Sequence, residues 1–129
     1  MDNIEKYRDL YLEALEASLR AYAPYSGFKV GAALLCSDGS VFTGVNVENA
    51  SYGATICAER SAVSAAVTAG KREFEAIAVA SPEAEGFPCG ICRQVIFEFG
   101  DDIKIIAGKN ADNLEIIDIK DLLLKGFRL

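Results

Sequence analysis

The chain has 129 residues, about the length of one domain, and we expect residues 1–129 to form a single domain. Hydrophobic residues make up 51% and charged residues 25% of the sequence, which predicts a globular fold with a substantial apolar core. The formal net charge of −6 argues against a nucleic-acid-binding protein, because phosphate binding depends on clustered lysine and arginine. The start of the chain is polar, and no apolar run is long enough to span a membrane. We therefore expect a cytoplasmic protein without nucleic-acid or membrane partners.

The first half of the chain is predicted to form a helix, a β-hairpin and a second helix. Apolar residues recur every three or four positions over 2–22, which is typical of one face of a helix. Residues 28–36 and 41–47 are predicted strands, and the Asp-Gly pair between them indicates a tight hairpin. A polar loop over 48–55 then leads to a predicted helix over 57–69, which a glycine ends.

The second half adds three strands and two helices. A strand is predicted over 74–80 and a helix over 89–99. Strands are then predicted over 103–107 and 114–117, and they should pair antiparallel because their link is too short for a parallel crossover. A last helix is predicted over 119–124. Helices must cover both faces of the sheet, so we predict an α/β fold, a three-layer α/β/α sandwich with a five-stranded mixed sheet.

Two short motifs carry the chemistry of the chain. Cys57-Ala58-Glu59 has the form C-x-E, and a P-C-x-x-C motif at 88–92 follows about thirty residues later. Three thiolates can bind one Zn²⁺ and leave its fourth tetrahedral position open, which is the mark of a catalytic site. A water there would be acidified by the metal, and a carboxylate beside it could carry the protons. We therefore predict one Zn²⁺ per chain on Cys57, Cys89 and Cys92, with Glu59 as the catalytic group.

Two other interpretations of the cysteines stay open at this point. The C-x-x-C pair alone could be a redox pair. A closed structural zinc site usually has four protein ligands, and in a chain without histidine it would need Cys36. Cys36 lies in an apolar run that is predicted to form a strand, where a cysteine is expected to be a small core residue. The clustering of the other cysteines fits a reducing compartment better than a disulfide framework.

Both parts of the predicted zinc site fall at predicted helix starts. The N-terminal end of a helix carries partial positive charge and unpaired N–H groups, and both stabilise thiolates. Arg60 is the cation adjacent to the first motif, and we predict that it donates to the thiolate sulfurs. The alternative is that Arg60 is an exposed cation on the helix surface.

Longer motifs resemble the short, single-zinc cytidine deaminases along nearly the whole chain. The C-x-E and P-C-x-x-C pair is typical of zinc deaminases in general, whereas the Asn-Val-Glu-Asn run is more specific to nucleoside deaminases. The resemblance implies hydrolytic deamination of cytidine and deoxycytidine to uridine and deoxyuridine with release of ammonia, in pyrimidine salvage. It is carried by the segments 23–28, 30–34, 44–52, 57–60 and 88–95.

The same resemblance implies roles for the substrate-binding residues. Asn46 and Glu48 are expected to bind the sugar, chiefly its 3′-hydroxyl, and as alternate residues of an extended segment they should point to one face. A carboxylate at that position would repel a 3′-phosphate and so favour a free nucleoside. Phe28 is expected to pack on the pyrimidine, and the backbone N–H of Ala58 to donate to the base carbonyl.

The resemblance also implies a homotetramer with composite active sites. Phe127 corresponds to an aromatic residue that reaches a neighbouring subunit's site, and Tyr52 to a hydroxyl at an interface or at the edge of the site. This chain departs from the family near Phe127, where Leu-Leu-Pro-Gly-Ala-Phe is replaced by Leu-Leu-Leu-Lys-Gly-Phe. Phe87 stands where the family commonly has a small residue, and it either reshapes the rim of the pocket or fills a gap.

Two alternative functions remain at this point. One is a deaminase for another aminopyrimidine nucleoside, such as a blasticidin-type antibiotic, and the segment 48–52 argues against it. The other is a non-catalytic zinc module that binds nucleosides or a partner. Glu59 argues against the second alternative, because a binding site has no need of a proton carrier.

Overall fold

The computed structural model describes residues 2–129 and contains a five-stranded sheet with helices on both sides. No helix within these residues is both long and apolar enough to cross a membrane. A 3-10 turn at Tyr52–Ala54 precedes the second helix. In chain order the elements are α1 (Asp2–Ser18), β1 (Gly31–Cys36), β2 (Val41–Val45), α2 (Ala58–Thr68), β3 (Phe74–Ala80), α3 (Gly90–Phe97), β4 (Lys104–Asn110), β5 (Asn113–Asp118) and α4 (Ile119–Leu122).

The sheet has the strand order β2-β1-β3-β4-β5. β1 runs antiparallel to both of its neighbours, β3 and β4 are parallel, and β5 returns antiparallel to β4. Helix α3 lies between β3 and β4 in the chain, as a parallel pair requires a long crossover. The predictions of a mixed five-stranded sheet and of an antiparallel final pair are confirmed.

Alternate residues of the central strands face two separate cores. Ala33 and Leu35 of β1 point to the side covered by α1, where Tyr7, Leu10 and Tyr11 are buried. Their neighbours on β1 point to the opposite side and pack against α2, α3 and α4. This arrangement of two apolar layers confirms the predicted three-layer sandwich.

The first helix is shorter than predicted. Helix α1 ends at Ser18 rather than near Tyr22. The backbone N–H of Tyr22 donates to the carbonyl of Asn46 at 3.0 Å, and the carbonyl of Tyr22 accepts from the N–H of Glu48 at 2.8 Å. Tyr22 therefore pairs with a distant extended segment, a contact between residues far apart in sequence that helical periodicity does not reveal.

The first strand also begins later than predicted, at Gly31 rather than at residue 28. The N–H of Phe28 donates to Ser26 Oγ at 3.0 Å, and the N–H of Val30 donates to Asn46 Oδ1 at 2.9 Å. These backbone groups bond to side chains rather than to a neighbouring strand. These hydrogen bonds therefore hold Phe28 in a loop beside the sheet.

In the second half of the chain, the ends of the last hairpin and of two helices also differ from the predicted ones. The hairpin of β4 and β5 is longer and tighter than predicted, and it turns between Asn110 and Asn113. Gly108 adopts a φ of +150°, and a Cβ there would lie 2.2 Å from the carbonyl oxygen of Asn113, so only glycine fits. Helix α3 ends at Phe97 and α4 at Leu122, each two residues earlier than predicted.

Candidate active site

Three cysteines converge at the ends of α2 and α3. The Sγ atoms of Cys57, Cys89 and Cys92 all lie within 4.8 Å of one another, and those of Cys57 and Cys89 are 3.9 Å apart. Two sulfurs bound to one tetrahedral zinc at about 2.3 Å are separated by about 3.8 Å. The sulfur positions therefore fit a single zinc ion. Cys36 is buried in the core between β1 and α2 and is not a member of this cluster.

The two helix starts bring the sulfurs together. Cys57 is the N-cap of α2 and its carbonyl accepts from the N–H of Ser61 at 3.1 Å. Cys89 is the N-cap of α3 and its carbonyl accepts from the N–H of Arg93 at 2.9 Å. Cys92 follows in the first turn of α3 and is buried. Each helix directs its positive end at the cluster, where it stabilises thiolate charge.

The electrostatics of the cluster also favour a cation. Hydrogen bonding with Cys92, and then with Arg60, lowers the pKa of the Cys57 thiol to about 5. The same contact with Cys57, together with burial, raises the pKa of Cys92. One thiolate therefore forms easily, and its negative charge opposes the formation of another beside it. A divalent cation supplies the opposite charge that lets all three sulfurs ionise.

Arg60 lies against the cluster. Its Nη2 donates to the Sγ of Cys57 at 3.5 Å, and its buried Nε has no hydrogen-bond partner among the described residues. An arginine in this position reduces the net negative charge that three thiolates place on a divalent ion.

Glu59 is buried beside the sulfurs, with 4% of its surface exposed. Burial raises the pKa of its carboxyl to about 7, the charge on Cys57 adds to this effect, and Arg60 opposes it. A carboxyl group whose pKa lies near neutrality can both accept and return a proton at neutral pH.

A cavity of about 240 Å³ opens above these groups. It is smaller than the roughly 300–1,000 Å³ of typical drug-sized sites, which suits a small ligand. Several residues that line it were not predicted from the sequence, although crevices of this kind are expected at the ends of strands in open α/β sheets. Its lining combines predicted residues (Phe28, Asn46, Cys57, Ala58, Glu59, Phe87 and Cys89) with residues that were not predicted (Val30, Thr55, Ile56, Val79, Ala80, Ser81 and Gly86).

Comparison with known proteins identifies the family. The zinc-binding region of cytidine and deoxycytidylate deaminases matches residues 4–109. The chain belongs to this deaminase family. A cytidine deaminase of Halalkalibacterium halodurans is 47% identical over 120 residues, which cover 92% of this chain and 91% of the relative. A cytidine deaminase of Mycoplasma genitalium is 38% identical over 112 residues, 84% of this chain and 85% of the relative.

The fold comparison agrees with the sequence comparison. The crystal structure of cytidine deaminase from Burkholderia pseudomallei superimposes with a TM-score of 0.85 at 47% identity, covering 92% of this chain and 97% of that one. The predictions of a deaminase fold, of a zinc-dependent deaminase and of zinc as its cofactor are confirmed.

In this deaminase, the side-chain amide of Asn46 bonds through both its nitrogen and its oxygen to the backbone around Phe28. Its Nδ2 donates to the carbonyl of Phe28 at 2.8 Å, and its Oδ1 accepts from the N–H of Val30 at 2.9 Å. Asn46 lines the cavity and at the same time fixes the segment that carries Phe28. Phe28 itself is 39% exposed at the cavity.

Glu48 occupies a neighbouring recess rather than the cavity itself. Its carboxylate accepts hydrogen bonds from the N–H of Tyr25 at 2.9 Å, from the N–H of Ser26 at 3.1 Å, and from the Ser26 hydroxyl. These bonds, with the Ser26 hydroxyl first, hold the pKa of Glu48 below its usual value. Thr55 lines both spaces, so the two recesses adjoin.

Tyr52 and Phe127 do not line the cavity of their own chain. Tyr52 is 77% exposed and packs edge-on against Tyr25, with ring centroids 6.2 Å apart. Phe127 is 67% exposed, and its carbonyl accepts from Gln94 Nε2 at 3.1 Å. Ala58 is the first residue of α2, where a backbone N–H has no partner within the helix.

Proposed function

We propose that this chain hydrolytically deaminates cytidine and deoxycytidine, giving uridine and deoxyuridine and releasing ammonia. The observation that carries the proposal is the position of buried Glu59 beside three convergent cysteine sulfurs on one cavity. Relatives that match most of the chain are named cytidine deaminases, which supports cytidine as a substrate.

Cys57, Cys89 and Cys92 would hold the zinc ion, and Arg60 would reduce the negative charge of the sulfurs. When bound, zinc supplies the Lewis-acid activation that makes water nucleophilic at neutral pH. Three protein ligands leave room for the substrate chemistry, in contrast to a closed four-ligand site. The distances among the sulfurs support this assignment.

Glu59 carries the protons of the reaction. It takes a proton from the attacking water as oxygen bonds to C4 of the base, and it delivers a proton to N3. It then takes the second proton from the hydroxyl now on C4 and passes it to the amino group. The C4–N bond breaks as C4 becomes a carbonyl, so that one water is consumed and one ammonia is released. Burial and a pKa near neutrality suit the carboxyl for both directions of transfer.

The remaining cavity residues bind the nucleoside. Phe28 packs against the base, and the unpaired N–H of Ala58 donates to the base carbonyl. Asn46 and Glu48 face the sugar, and the charge of Glu48 disfavours a phosphate on the 3′-oxygen. Support comes from the hydrogen bonds that keep Glu48 ionised and from the adjacency of its recess to the cavity.

The deaminase works as a homotetramer in cytoplasmic pyrimidine salvage. In that assembly Tyr52 lies at an interface and Phe127 reaches the site of a neighbouring chain. The exposure of both aromatic rings on a single chain supports this placement. Sedimentation of the purified protein tests the oligomeric state, and a monomer with full activity would contradict the composite site.

The function is tested by following the loss of cytidine absorbance on adding purified, zinc-loaded protein. Deoxycytidine and cytidine 3′-phosphate are assayed in parallel. We expect turnover of both nucleosides and none of the 3′-phosphate. Stoichiometric zinc with no turnover of either nucleoside would contradict the proposed substrate, and equal turnover of the 3′-phosphate would contradict the role of Glu48.

A further inference from the structure

Arg93 bridges two backbone carbonyls that come from distant parts of the chain. Its Nε donates to the carbonyl of Pro88 at 2.7 Å, and its Nη1 donates to the carbonyl of Leu122 at 2.9 Å. The guanidinium is partly buried in this position. A planar fork with fixed N–H directions is suited to holding two acceptors at once.

One end of this bridge is next to a metal ligand. Pro88 is fully buried and precedes Cys89, so the orientation of its carbonyl sets the peptide plane that leads into Cys89. The segment 82–88 contains no helix or strand. Within residues 2–129, the only side chain that hydrogen-bonds to the backbone of 84–88 is that of Arg93. The backbone N–H of Arg93 donates to the carbonyl of Cys89 as part of helix α3, a bond that does not depend on the arginine side chain.

The other end of the bridge is anchored to the core. Leu122 is the last residue of α4, where helix carbonyls lack partners within the helix and favour a cation. The first residue of α4, Ile119, is fully buried in the core that also contains α2 and α3. The carbonyl of Leu122 is therefore a fixed point from which Arg93 can hold the loop.

We propose that Arg93 is a positioning residue for the metal centre. Its guanidinium ties the Pro88 carbonyl to the end of α4 and so holds Cys89 at the correct distance from Cys57 and Cys92. The inference rests on the proposed function of these cysteines. In it, the spacing of the three sulfurs depends on an arginine that contacts neither the metal nor the substrate.

The test is the zinc affinity of Arg93→Lys, measured by competition with a chromophoric chelator. Lysine keeps the charge but has a single nitrogen, which cannot hold both carbonyls in one plane. Loss of a residue that orients a metal ligand typically weakens metal binding by about 10–100-fold, and we expect a loss in that range. The absorption spectrum of the cobalt-substituted protein should change as well, because it reports the geometry of the sulfur ligands.

Arg72→Lys is the matched control. Arg72 also donates to two backbone carbonyls near a helix end, those of Val67 at 3.0 Å and Lys71 at 2.8 Å, but it lies away from the cysteine cluster. We expect this variant to bind zinc as tightly as the unchanged protein. Equal zinc affinities and identical cobalt spectra for Arg93→Lys and the unchanged protein would overturn the proposal.

Thermal unfolding with and without zinc separates positioning from general stability. If Arg93 positions Cys89, Arg93→Lys lowers the melting temperature more in the zinc-loaded protein than in the zinc-free protein. An equal loss in both states would overturn the proposal.

If Arg93→Lys does not fold, Arg93→Gln takes its place, because its amide can still bond one carbonyl. Failure of the unchanged protein to bind zinc would overturn the proposed function first, whereas normal binding with unaffected variants overturns only this inference.

Discussion

Gly44 lets the helix that carries Glu59 approach the sheet. It lies in β2 opposite Ala32, and α2 packs directly over it. A Cβ at this position would lie 2.4 Å from the backbone nitrogen of Ala62 and 2.6 Å from the carbonyl oxygen of Ala58. Both are backbone atoms of α2 and cannot rotate away, so Gly44→Ala forces the whole helix to move.

The size of the effect follows from these distances. Ordinary contacts begin at 3.4 Å, so α2 must shift by about 1 Å to relieve the contact at 2.4 Å. Overpacking of this kind typically costs about 1–3 kcal/mol of unfolding free energy. A displacement of about 1 Å in a reacting group can lower the rate by about 10²-fold. Because Glu59 lies in the first turn of α2, we expect kcat to fall by about that factor.

Urea unfolding of the zinc-loaded protein and initial rates of cytidine loss measure the two effects. Gly53→Ala is the matched control, because a Cβ at Gly53 meets nothing within 4 Å. It should change the unfolding free energy by less than about 0.5 kcal/mol. If Gly44→Ala leaves both the unfolding free energy and kcat unchanged, the close contact between α2 and β2 does not exist as described.

Three further substitutions test the proton carrier, the base contact and a surface ion pair separately. Glu59→Gln should retain zinc while kcat falls by about 10²–10⁴-fold, the usual contribution of a positioned acid–base group, and zinc retained with a near-normal rate would contradict its role. Phe28→Ala should raise KM by about 5–150-fold, since stacking on a base is worth about 1–3 kcal/mol, and an unchanged KM in the cytidine assay would remove Phe28 from the site. Glu75 pairs with Lys6 Nζ at 2.8 Å and accepts from the Tyr7 hydroxyl at 3.0 Å, so Glu75→Gln should lower the unfolding free energy by about 1 kcal/mol at pH 7. The pair with Lys6, followed by the Tyr7 bond, holds the pKa of Glu75 below its usual value. Its contribution is therefore present above the unfolded pKa of about 4.3 and is lost as the pH falls through the folded pKa. Denaturant titrations should show the variant and the parent converging in acid, and an equal difference at pH 7 and about pH 3 would be inconsistent with this sign.

The strands and the metal motifs could be predicted because their signals are local. The run 74–80 is almost continuously apolar, and the structure forms a strand over these same residues. Cys57 and Cys89 precede runs of helix-forming residues, and both occupy N-cap positions. The spacing of the motifs was sufficient to predict three converging sulfurs, because a zinc site constrains few atoms.

The walls of the cavity could not be predicted because they depend on contacts between distant segments. Val79 and Ser81 look like ordinary strand-end residues until the sheet order is known. The hydrogen bonds from Asn46 to the segment around Phe28 span 16 and 18 residues, and no local pattern encodes them. In the sequence, Arg93 has the pattern of a cation on a helix surface. Its hydrogen bond to the carbonyl of Leu122, 29 residues away, is apparent only in the folded chain.

The placement of Glu48 shows where a motif stops being informative. The alternation of an extended segment predicted that Asn46 and Glu48 share one face. In the structure Asn46 lines the cavity, whereas Glu48 turns into the adjoining recess and bonds to the loop at Tyr25 and Ser26. A carboxylate is stabilised where several N–H and O–H donors meet, and this determines the position of Glu48. The donors are brought together only by the fold of the loop.

In the function proposed above, cytidine deamination depends on zinc held by Cys57, Cys89 and Cys92. The most direct measurement is the rate of cytidine loss in one preparation as purified, after removal of zinc by a chelator, and after zinc is restored. We expect activity to disappear with the metal and to return in proportion to zinc, up to one ion per chain. A rate that is unchanged when the zinc has been removed would contradict it.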